Sequence, residues 1–324
     1  MSRSRQRCRA VLVKDDGTPY ACPDDAQPGH PLCARHTGPA ERVEADTLEE
    51  MIGGWGRAAA DALKKRLRGE QPADGSYDED LVRALLPFAM PLYAMYWRVE
   101  VIGIENIPTE GPAQLVSNHS GTFPLDGAML KIAVLKEHGR NPWLLAGDLA
   151  FTIPGFRSLL RLAGNARAHR QDTLALLRAG ELVGVFPEGY KGIGKGWKRR
   201  YQLQRFGRGG FVEVAMETGA PIIPVAIIGA EETYPMIANL GFVARRLGLP
   251  YFPVTPTFPL LGPLGVIPLP SKWIIVFGEP IPMIGFGASM AEDTQSVLEL
   301  TEEVRQNVQR MLTEHLPRRR RTFL

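Results

Sequence analysis

The sequence lacks any long, uninterrupted apolar run. It opens with MSRSRQRCRA, which is unlike the apolar core of a secretory signal peptide. A membrane-spanning helix needs about 20 apolar residues, and the best candidate, residues 84–97, is shorter and is interrupted by two prolines. We therefore expect a protein that is at most peripheral, on the cytoplasmic face of a membrane. Residues 84–97 fit an interfacial segment, with Tyr93, Tyr96 and Trp97 at headgroup level, or a buried helix.

Cysteine is scarce, and all three cysteines lie in the first 33 residues. With one histidine they follow the spacing C-x13-C-x10-C-x2-H, formed by Cys8, Cys22, Cys33 and His36. Three thiolates and one imidazole are a common tetrahedral zinc set, and a metal would stabilise a segment too small to bury a core. We predict a zinc-binding segment over residues 1–40, with His30 as a competing ligand. The alternative is a disordered tail with three incidental thiols.

The composition is that of a globular protein. Hydrophobic residues make up 44% of the chain and charged residues 23%, which excludes wholesale disorder. The formal net charge of +3 conceals two basic runs, residues 191–208, which contain no acid, and residues 318–321. Such runs attract phosphates on substrates, lipid headgroups or nucleic acid. A solvated face is the alternative interpretation.

Short apolar runs alternate with helical stretches from residue 81 onward. The predicted strands are residues 113–117, 143–146, 182–186, 222–228 and 273–277. The predicted helices are residues 124–137, 155–162, 172–178, 207–217 and 291–316. This alternation predicts an α/β domain over residues 81–324, with a mixed central sheet flanked by helices. Residues 41–80 are predicted to be a helical and loop connector.

Three predicted strands run directly into polar loops, NHSGTFPLD, FPEGYKGIGK and GAEE. Chemistry in α/β sheets gathers in the loops at the carboxyl ends of strands. In the first loop, His119 is placed to act as a general base, and Asp126 could hold its other ring nitrogen. Gly121 would let the loop fold back, and Pro124 fits the first turn of the following helix. A structural pair that caps the loop is the alternative.

The second polar loop begins Phe-Pro-Glu-Gly. Glu188 follows an apolar strand, where a carboxylate is costly unless it is exposed or has a partner. It could bind an acceptor hydroxyl, or it could cap a turn. No G-x-S-x-G elbow surrounds Ser120, so we do not expect Ser120 to be a nucleophile.

These two loops, in this order, resemble motifs of the glycerolipid, or lysophospholipid, acyltransferase family. The family's first motif is a His and an Asp in an Asn-His loop, and its third is Phe-Pro-Glu-Gly. Its fourth, an apolar strand bracketed by prolines, matches residues 221–225. The second motif's arginine has two candidates, Arg167 and Arg170. The resemblance covers about residues 97–279.

One spacing departs from the family pattern. The family commonly has His-x4-Asp, whereas this chain has six residues between His119 and Asp126. We interpret the difference as a longer loop before the helix. A branch related to the diacylglycerol acyltransferases also departs from the common spacing, and the departure leaves the acceptor open.

The resemblance implies the glycerolipid acyltransferase fold and an O-acyltransferase similar to the 1-acylglycerol-3-phosphate acyltransferases. His119, oriented by Asp126, would deprotonate an acceptor hydroxyl that attacks the thioester of acyl-CoA or acyl-carrier protein. The residues implied in substrate binding are Glu188, Gly189, Arg167, Arg170, Lys191 and Arg208. No catalytic cofactor is expected beside the structural zinc. The implied partners are the acyl thioester, a glycerolipid such as a lysophospholipid, and a membrane surface.

Two other functions stay open on the sequence alone. An acyl-thioester hydrolase of the same fold would use the same base with water as the acceptor. A zinc-dependent nucleic-acid- or protein-binding module would use the cysteine-rich segment and the basic runs. We do not expect nucleic acid as a partner. Base stacking needs aromatic side chains interleaved with the basic ones, and residues 191–208 contain only three. The proline-rich residues 253–270 fit an acyl-chain groove, a membrane-contact loop or a loop packed on the core.

Overall fold

The computed structural model describes residues 11–13, 19–21, 77–123, 125–152, 160–161, 163–319 and 321–323. Contacts between residues divide the chain into two units, residues 1–57 and residues 58–324. In the first unit, β1 (Val11–Val13) pairs antiparallel with β2 (Pro19–Ala21). The four predicted zinc ligands, Pro124 and most of the predicted helix at 155–162 lie outside the described residues, as does nearly all of the connector.

The second unit alternates helices and strands. Its first half contains α1 (Glu79–Met90), β3 (Glu100–Ile102), β4 (Ala113–Ser117), α2 (Leu125–Glu137), β5 (Pro142–Ala146), α3 (Asp148–Thr152), β6 (Asn165–Arg167), α4 (Arg170–Arg178), β7 (Leu182–Val185) and α5 (Tyr190–Ile193). Its second half contains α6 (Gly210–Thr218), β8 (Ile222–Ile228), α7 (Ala230–Thr233), β9 (Ala238–Asn239), α8 (Gly241–Leu247), β10 (Pro253–Val254), β11 (Ile274–Phe277), α9 (Ala288–Ala291) and α10 (Thr294–His315). All five predicted strands are present to within one residue at each end.

A seven-stranded sheet has the order β3-β11-β8-β4-β7-β5-β6. Strands β8, β4, β7, β5 and β6 run parallel, whereas β11 is antiparallel to β8 and parallel to β3. The predicted mixed sheet is therefore confirmed. Strands β7, β4 and β8 are neighbours, and these are the three strands that run into the polar loops. Because parallel strands end at the same edge, the sheet brings the three loops together.

Both faces of the sheet are covered. In β8, Ile223 and Ile227 pack into one apolar cluster with α2, whereas Ile222 and Ile228 pack into another with α6 and α10. This alternation is the two-residue period of a strand buried on both sides. The rigid sheet that results fixes where each loop begins.

The apolar segment at residues 84–97 is partly buried and partly exposed, so it matches neither of the two expected arrangements completely. It forms the end of α1 and a π-helical turn, Pro91–Tyr96. Tyr93 and Trp97 are buried, so the predicted headgroup position of these two rings is wrong. Four large apolar side chains among the described residues of this segment are instead exposed, Leu85, Phe88, Leu92 and Met95. Among the described residues, no helix is long and apolar enough to cross a membrane.

A buried lysine on α2 ties the helix to the strands beside it. Lys131 donates from Nζ to the Asn141 side chain at 2.8 Å, to the Pro142 carbonyl at 2.5 Å and to the Gly164 carbonyl at 3.2 Å. Burial lowers the pKa of Lys131 to about 7, because the ammonium loses hydration that three acceptors replace only in part.

Replacing Lys131 with methionine should flatten the pH dependence of stability. An unfolded lysine titrates near 10.5, so between pH 7 and pH 10 the unfolded chain binds more protons at this position than the folded chain does. The free energy of unfolding therefore rises with pH in this window, by up to about 1.4 kcal/mol per pH unit. Denaturant unfolding at pH 7 and pH 9 measures the slope. Lys136→Met, which removes an exposed lysine from the same helix, should retain it; an unchanged slope in Lys131→Met would contradict the assignment.

Candidate active site

The first polar loop leaves the sheet through a side-chain bridge. Asn118 Nδ2 donates to the Ile227 carbonyl at 3.0 Å, and the Ile227 amide donates to Asn118 Oδ1 at 2.7 Å. The amide side chain thus reproduces one more step of the pairing between β4 and β8. Because Asn118 is completely buried, this bridge determines the direction in which the next residue, His119, leaves the strand.

His119 and Asp126 meet across the bend of this loop. His119 Nδ1 lies 2.7 Å from Asp126 Oδ2, and the Ser120 amide donates to the same oxygen at 2.8 Å. A carboxylate can only accept, so the ring carries its hydrogen on Nδ1 and its lone pair on Nε2. The Asp126 side chain is inaccessible, whereas 14% of the His119 side chain is exposed. The buried Asp126 carboxylate therefore holds the imidazole from the protein interior, and the imidazole of His119 is accessible from outside.

The six-residue separation is accommodated by the loop, as predicted. The helix α2 begins at Leu125, so Asp126 lies in its first turn, where the helix dipole favours a negative charge. Asp126 Oδ1 accepts from the Gly127 amide at 2.8 Å. Gly121 has a φ of +80°, and a Cβ there would lie 2.9 Å from the Ala230 carbonyl oxygen. A glycine is therefore required where the loop folds back.

The Phe-Pro-Glu-Gly segment holds His119 from two further directions. The Phe186 ring packs on the imidazole, with centroids 4.6 Å apart and a tilt of 33°. Glu188 is buried and accepts from the His119 amide at 2.9 Å through Oε1. Its other oxygen, Oε2, accepts from the Gln204 amide at 2.6 Å. The third motif thus supports the first directly.

The third polar loop contributes a carboxylate beside a buried lysine. Lys195 Nζ lies 3.3 Å from Glu188 Oε2 and 3.2 Å from Glu231 Oε1, and all three residues are buried. Burial raises the pKa of Glu231, although the Lys195 charge opposes the shift. Lys195 and Glu231 also line a small cleft with Gly121 and Thr122 of the His119 loop.

Tyr251 contacts the loop that contains His119 and Thr122. Its hydroxyl donates to the Thr122 carbonyl. Burial, with a smaller contribution from the nearby Asp126 carboxylate, raises the pKa of Tyr251 to about 12. The hydroxyl therefore stays protonated at any working pH and serves as a fixed donor.

Comparison with known proteins gives this geometry a family. Residues 98–228 match the protein family described as Acyltransferase. An uncharacterized protein of Mycobacterium tuberculosis is 48% identical over 301 residues, covering 91% of this chain and 82% of its own length. The human and bovine proteins named DGAT1/2-independent enzyme synthesizing storage lipids are each 26% identical and cover 69% of this chain, with 64% and 62% of their own lengths matched.

The chain belongs to the glycerolipid acyltransferase family. A crystal structure of the 1-acyl-sn-glycerophosphate (LPA) acyltransferase PlsC from Thermotoga maritima is 20% identical, with a TM-score of 0.48, and covers 73% of this chain and 80% of its own. An uncharacterized protein of Mycobacterium leprae is 47% identical and covers 82% of this chain and 74% of its own. The matches favour neither the hydrolase nor the nucleic-acid- or protein-binding alternative.

Some of the predicted site residues are in contact with one another, and others lie elsewhere on the molecule. His119, Asp126 and Glu188 are in contact, and Gly189 follows with a φ of +56°. Arg167 ends β6 at the same sheet edge, three strands from β4, or about 14 Å at 4.8 Å per strand. Arg170 instead forms an ion pair with Glu217 on α6.

The remaining predicted binding residues, Lys191 and Arg208, are exposed. The two basic runs are not uniformly solvated, because each contains a buried ion pair. Lys195 in the first is paired as described above, and Arg319 in the second pairs with Glu232 at 2.6 Å. The zinc ligands Cys8, Cys22, Cys33 and His36 lie outside the described residues, so the zinc site stays a prediction.

Sequence reasoning does not single out Lys195, Gly192 or Glu231. A Cβ on Gly192 would lie 2.6 Å from the His119 carbonyl oxygen, so this glycine lets the chain after Glu188 pack closely against the His119 loop. The polar loop GAEE at the end of β8 is the one signal that points to Glu231. Nothing in the spacing from Glu188 to Lys195 indicates that the two side chains meet.

Proposed function

We propose that this acyltransferase moves a fatty acyl group from acyl-CoA or acyl-carrier protein to a hydroxyl of a glycerolipid such as a lysophospholipid. The observation that carries the proposal is the buried Asp126 carboxylate, 2.7 Å from Nδ1 of a partly exposed His119. It is supported by the family match and by the storage-lipid enzymes named above.

The proposed reaction assigns the proton transfers to these two side chains. His119 Nε2 accepts the proton of the acceptor hydroxyl as the oxygen attacks the thioester carbonyl. The Asp126 carboxylate stabilises the imidazolium that forms. When the tetrahedral intermediate collapses, the C–S bond breaks and the imidazolium returns its proton to the leaving thiolate. The products are an ester and a free thiol, and His119 is neutral again.

An apolar surface on the described residues supports the proposal that the enzyme binds a membrane. We propose that it binds the cytoplasmic face of that membrane. One part is the exposed set on α1 and the π-helical turn given above. The other follows β10 and contains Leu260, Leu261, Leu264, Val266 and Ile267, of which Leu260 is 83% exposed. The Tyr96 hydroxyl donates to the Pro268 carbonyl at 2.6 Å, so the two parts are adjacent. Exposed apolar patches of this kind mark lipid or protein contacts.

The same surface reaches the catalytic loop. The Tyr234 hydroxyl donates to the Val266 carbonyl at 2.7 Å, and the Tyr234 ring lies 5.0 Å from the ring of Phe123. Phe123 is exposed and follows His119 by four residues. A lipid acceptor entering from a bilayer would therefore meet apolar side chains along its path to His119. This favours the membrane-contact interpretation of residues 253–270 over a loop packed on the core.

The double variant Leu261→Glu/Leu264→Glu should lose affinity for vesicles of phosphatidylcholine with phosphatidylglycerol. Removing two exposed leucines and adding two charges should cost at least about 2–3 kcal/mol, a roughly 30- to 140-fold weaker partition. Co-sedimentation with the vesicles measures it. Ile284→Glu alters an exposed isoleucine outside this surface and is the control. Equal binding by the double variant and the control would contradict the assignment.

The proposed reaction is tested by its products. Purified protein is supplied with mixed acyl thioesters and a panel of lysophospholipids, monoacylglycerols and diacylglycerols, and new esters are identified by mass spectrometry. The release of thiol is followed with and without acceptor. Ester formation that accounts for the released thiol supports transfer, whereas thiol release that ignores the acceptor would overturn it in favour of hydrolysis.

A further inference from the structure

Lys195 is a buried cation that the proposed reaction does not use. Its side chain is 2% exposed and lies between two buried carboxylates, those of Glu188 and Glu231. An ammonium in such a place is stable only when it is paired, and removing it would leave two buried carboxylates without their counter-charge. With all three groups ionised, the set carries one net negative charge, so Lys195 is not available to hold an acceptor phosphate.

The two carboxylates are tied to different parts of the site. Glu231 lies in the third polar loop, on α7, and accepts from the Tyr201 amide at 3.1 Å. Glu188 accepts from the amides of His119 and Gln204 at 2.9 Å and 2.6 Å. Lys195 therefore joins the loop after β8 to the loop after β4 through one carboxylate on each side.

The segment between Glu188 and Lys195 packs against the catalytic histidine itself. A Cβ on Gly192 would lie 2.9 Å from the His119 Cβ and 2.8 Å from the Glu188 Cβ, so there is no slack at this contact. The Lys195 amide donates to the Gly192 carbonyl at 3.3 Å. A shift of the Lys195 end of this turn would be transmitted to the His119 backbone.

We propose that Lys195 is a positioning residue for the acyl-transfer reaction. Its ammonium holds the Glu188 carboxylate in place at the His119 amide, and Glu231 anchors the ammonium from the other side. The expected change in kcat rests on the proposed function. The expected change in hydrogen exchange at the His119 amide rests only on the contacts of Lys195 and Glu188.

The charged and titratable groups around this set come from six parts of the chain. They are His119 on its loop, Asp126 on α2, Tyr201, Glu232 on α7, Arg319 at the C-terminal end, and Arg305 on α10. The pKa of Arg305 is raised mainly by its hydrogen bond with Glu302 and to a smaller extent by the Glu188 charge. Arg319 is already paired with Glu232, and Arg305 with Glu302. Neither guanidinium can replace the ammonium of Lys195 without giving up its own partner.

The test is Lys195→Met, compared with Lys198→Met, which removes an exposed lysine from the same basic run. Lys195→Met should lower kcat about 100-fold, because a catalytic group misplaced by about 1 Å costs rate of this order. The KM for the thioester and the acceptor should change little. Lys198→Met should match wild type.

Two further measurements separate positioning from a general loss of stability. The charge-balanced double variant Lys195→Met/Glu231→Gln removes the repulsion between the two carboxylates but still lacks the ammonium beside Glu188. Its kcat should therefore also be lowered, and it serves in place of Lys195→Met if that variant does not fold. Hydrogen exchange, followed by mass spectrometry, should show faster exchange of the His119 amide in Lys195→Met than in Lys198→Met.

Each result decides the matter. Wild-type kcat in Lys195→Met, or unchanged exchange at the His119 amide, overturns the positioning role while wild-type acyl transfer leaves the proposed function standing. If wild type transfers no acyl group, the proposed function fails, and the exchange measurement still decides whether Lys195 holds the His119 backbone.

Discussion

Replacing His119 with alanine should lower kcat for acyl transfer by about 10²–10⁴-fold, the contribution of a positioned general base. Without the imidazole, the acceptor hydroxyl has no group to take its proton as it attacks. The His119 side chain is partly exposed, and the amide that Glu188 binds is retained in alanine, so the fold should persist. Initial rates of thiol release and ester formation, with a thermal melt, measure both quantities.

The matched control for this variant is His315→Ala. His315 is a half-buried histidine in the last turn of α10 and belongs to no part of the site. It should keep wild-type kcat. A His119→Ala protein that melts like wild type and still transfers acyl groups at the wild-type rate would remove His119 from the mechanism.

Asp126→Asn should also lower kcat by about 10²–10⁴-fold, for a different reason. Both carboxylate oxygens accept hydrogen bonds, from His119 Nδ1 and the Ser120 amide on one side and from the Gly127 amide on the other. An asparagine places an NH₂ group against at least one of these donors. It also removes the negative charge that stabilises the imidazolium, and in serine proteases the corresponding change costs about 10⁴-fold.

The kinetics of Asp126→Asn distinguish orientation from binding. Because Asp126 is inaccessible, it does not contact substrate, and the KM for both substrates should stay close to wild type while kcat falls. A second variant, Asp172→Asn, removes an exposed carboxylate from the first turn of α4 and should behave as wild type. A rise in KM with unchanged kcat in Asp126→Asn would mean that the carboxylate acts on binding.

The Phe-Pro-Glu-Gly segment lies against His119, the proposed general base. Phe186 packs on the His119 ring, and Glu188 accepts a hydrogen bond from its amide, so both side chains contact His119 directly. A glutamate with protein donors at both oxygens has less capacity to bind an acceptor hydroxyl. The acceptor would then be aligned by the cleft beside Thr122 and by the apolar surface that leads to it.

Much of the fold is predictable because the strands that build it are buried on both faces. Strands β4 and β8 have the predicted bounds, since each is buried along its whole length and ends at a polar loop. Strands β3 and β6 are not predicted. Each has three residues of intermediate burial, too short to show a period, and each is a strand only because a neighbour pairs with it.

The sequence by itself determined the α/β order, the histidine and carboxylate pair and the loop that separates them. These features depend on local chemistry: apolar runs, a glycine that permits the bend, and two reactive side chains near one strand end. Only the tertiary structure decided that Lys195 is buried, that Glu188 faces the His119 backbone, and that residues 260–267 expose their leucines beside α1. From sequence alone, a basic run is interpreted as a solvated surface. Whether one of its lysines is buried depends on carboxylates that other segments of the chain bring to it, and the sequence pattern does not show these long-range partners.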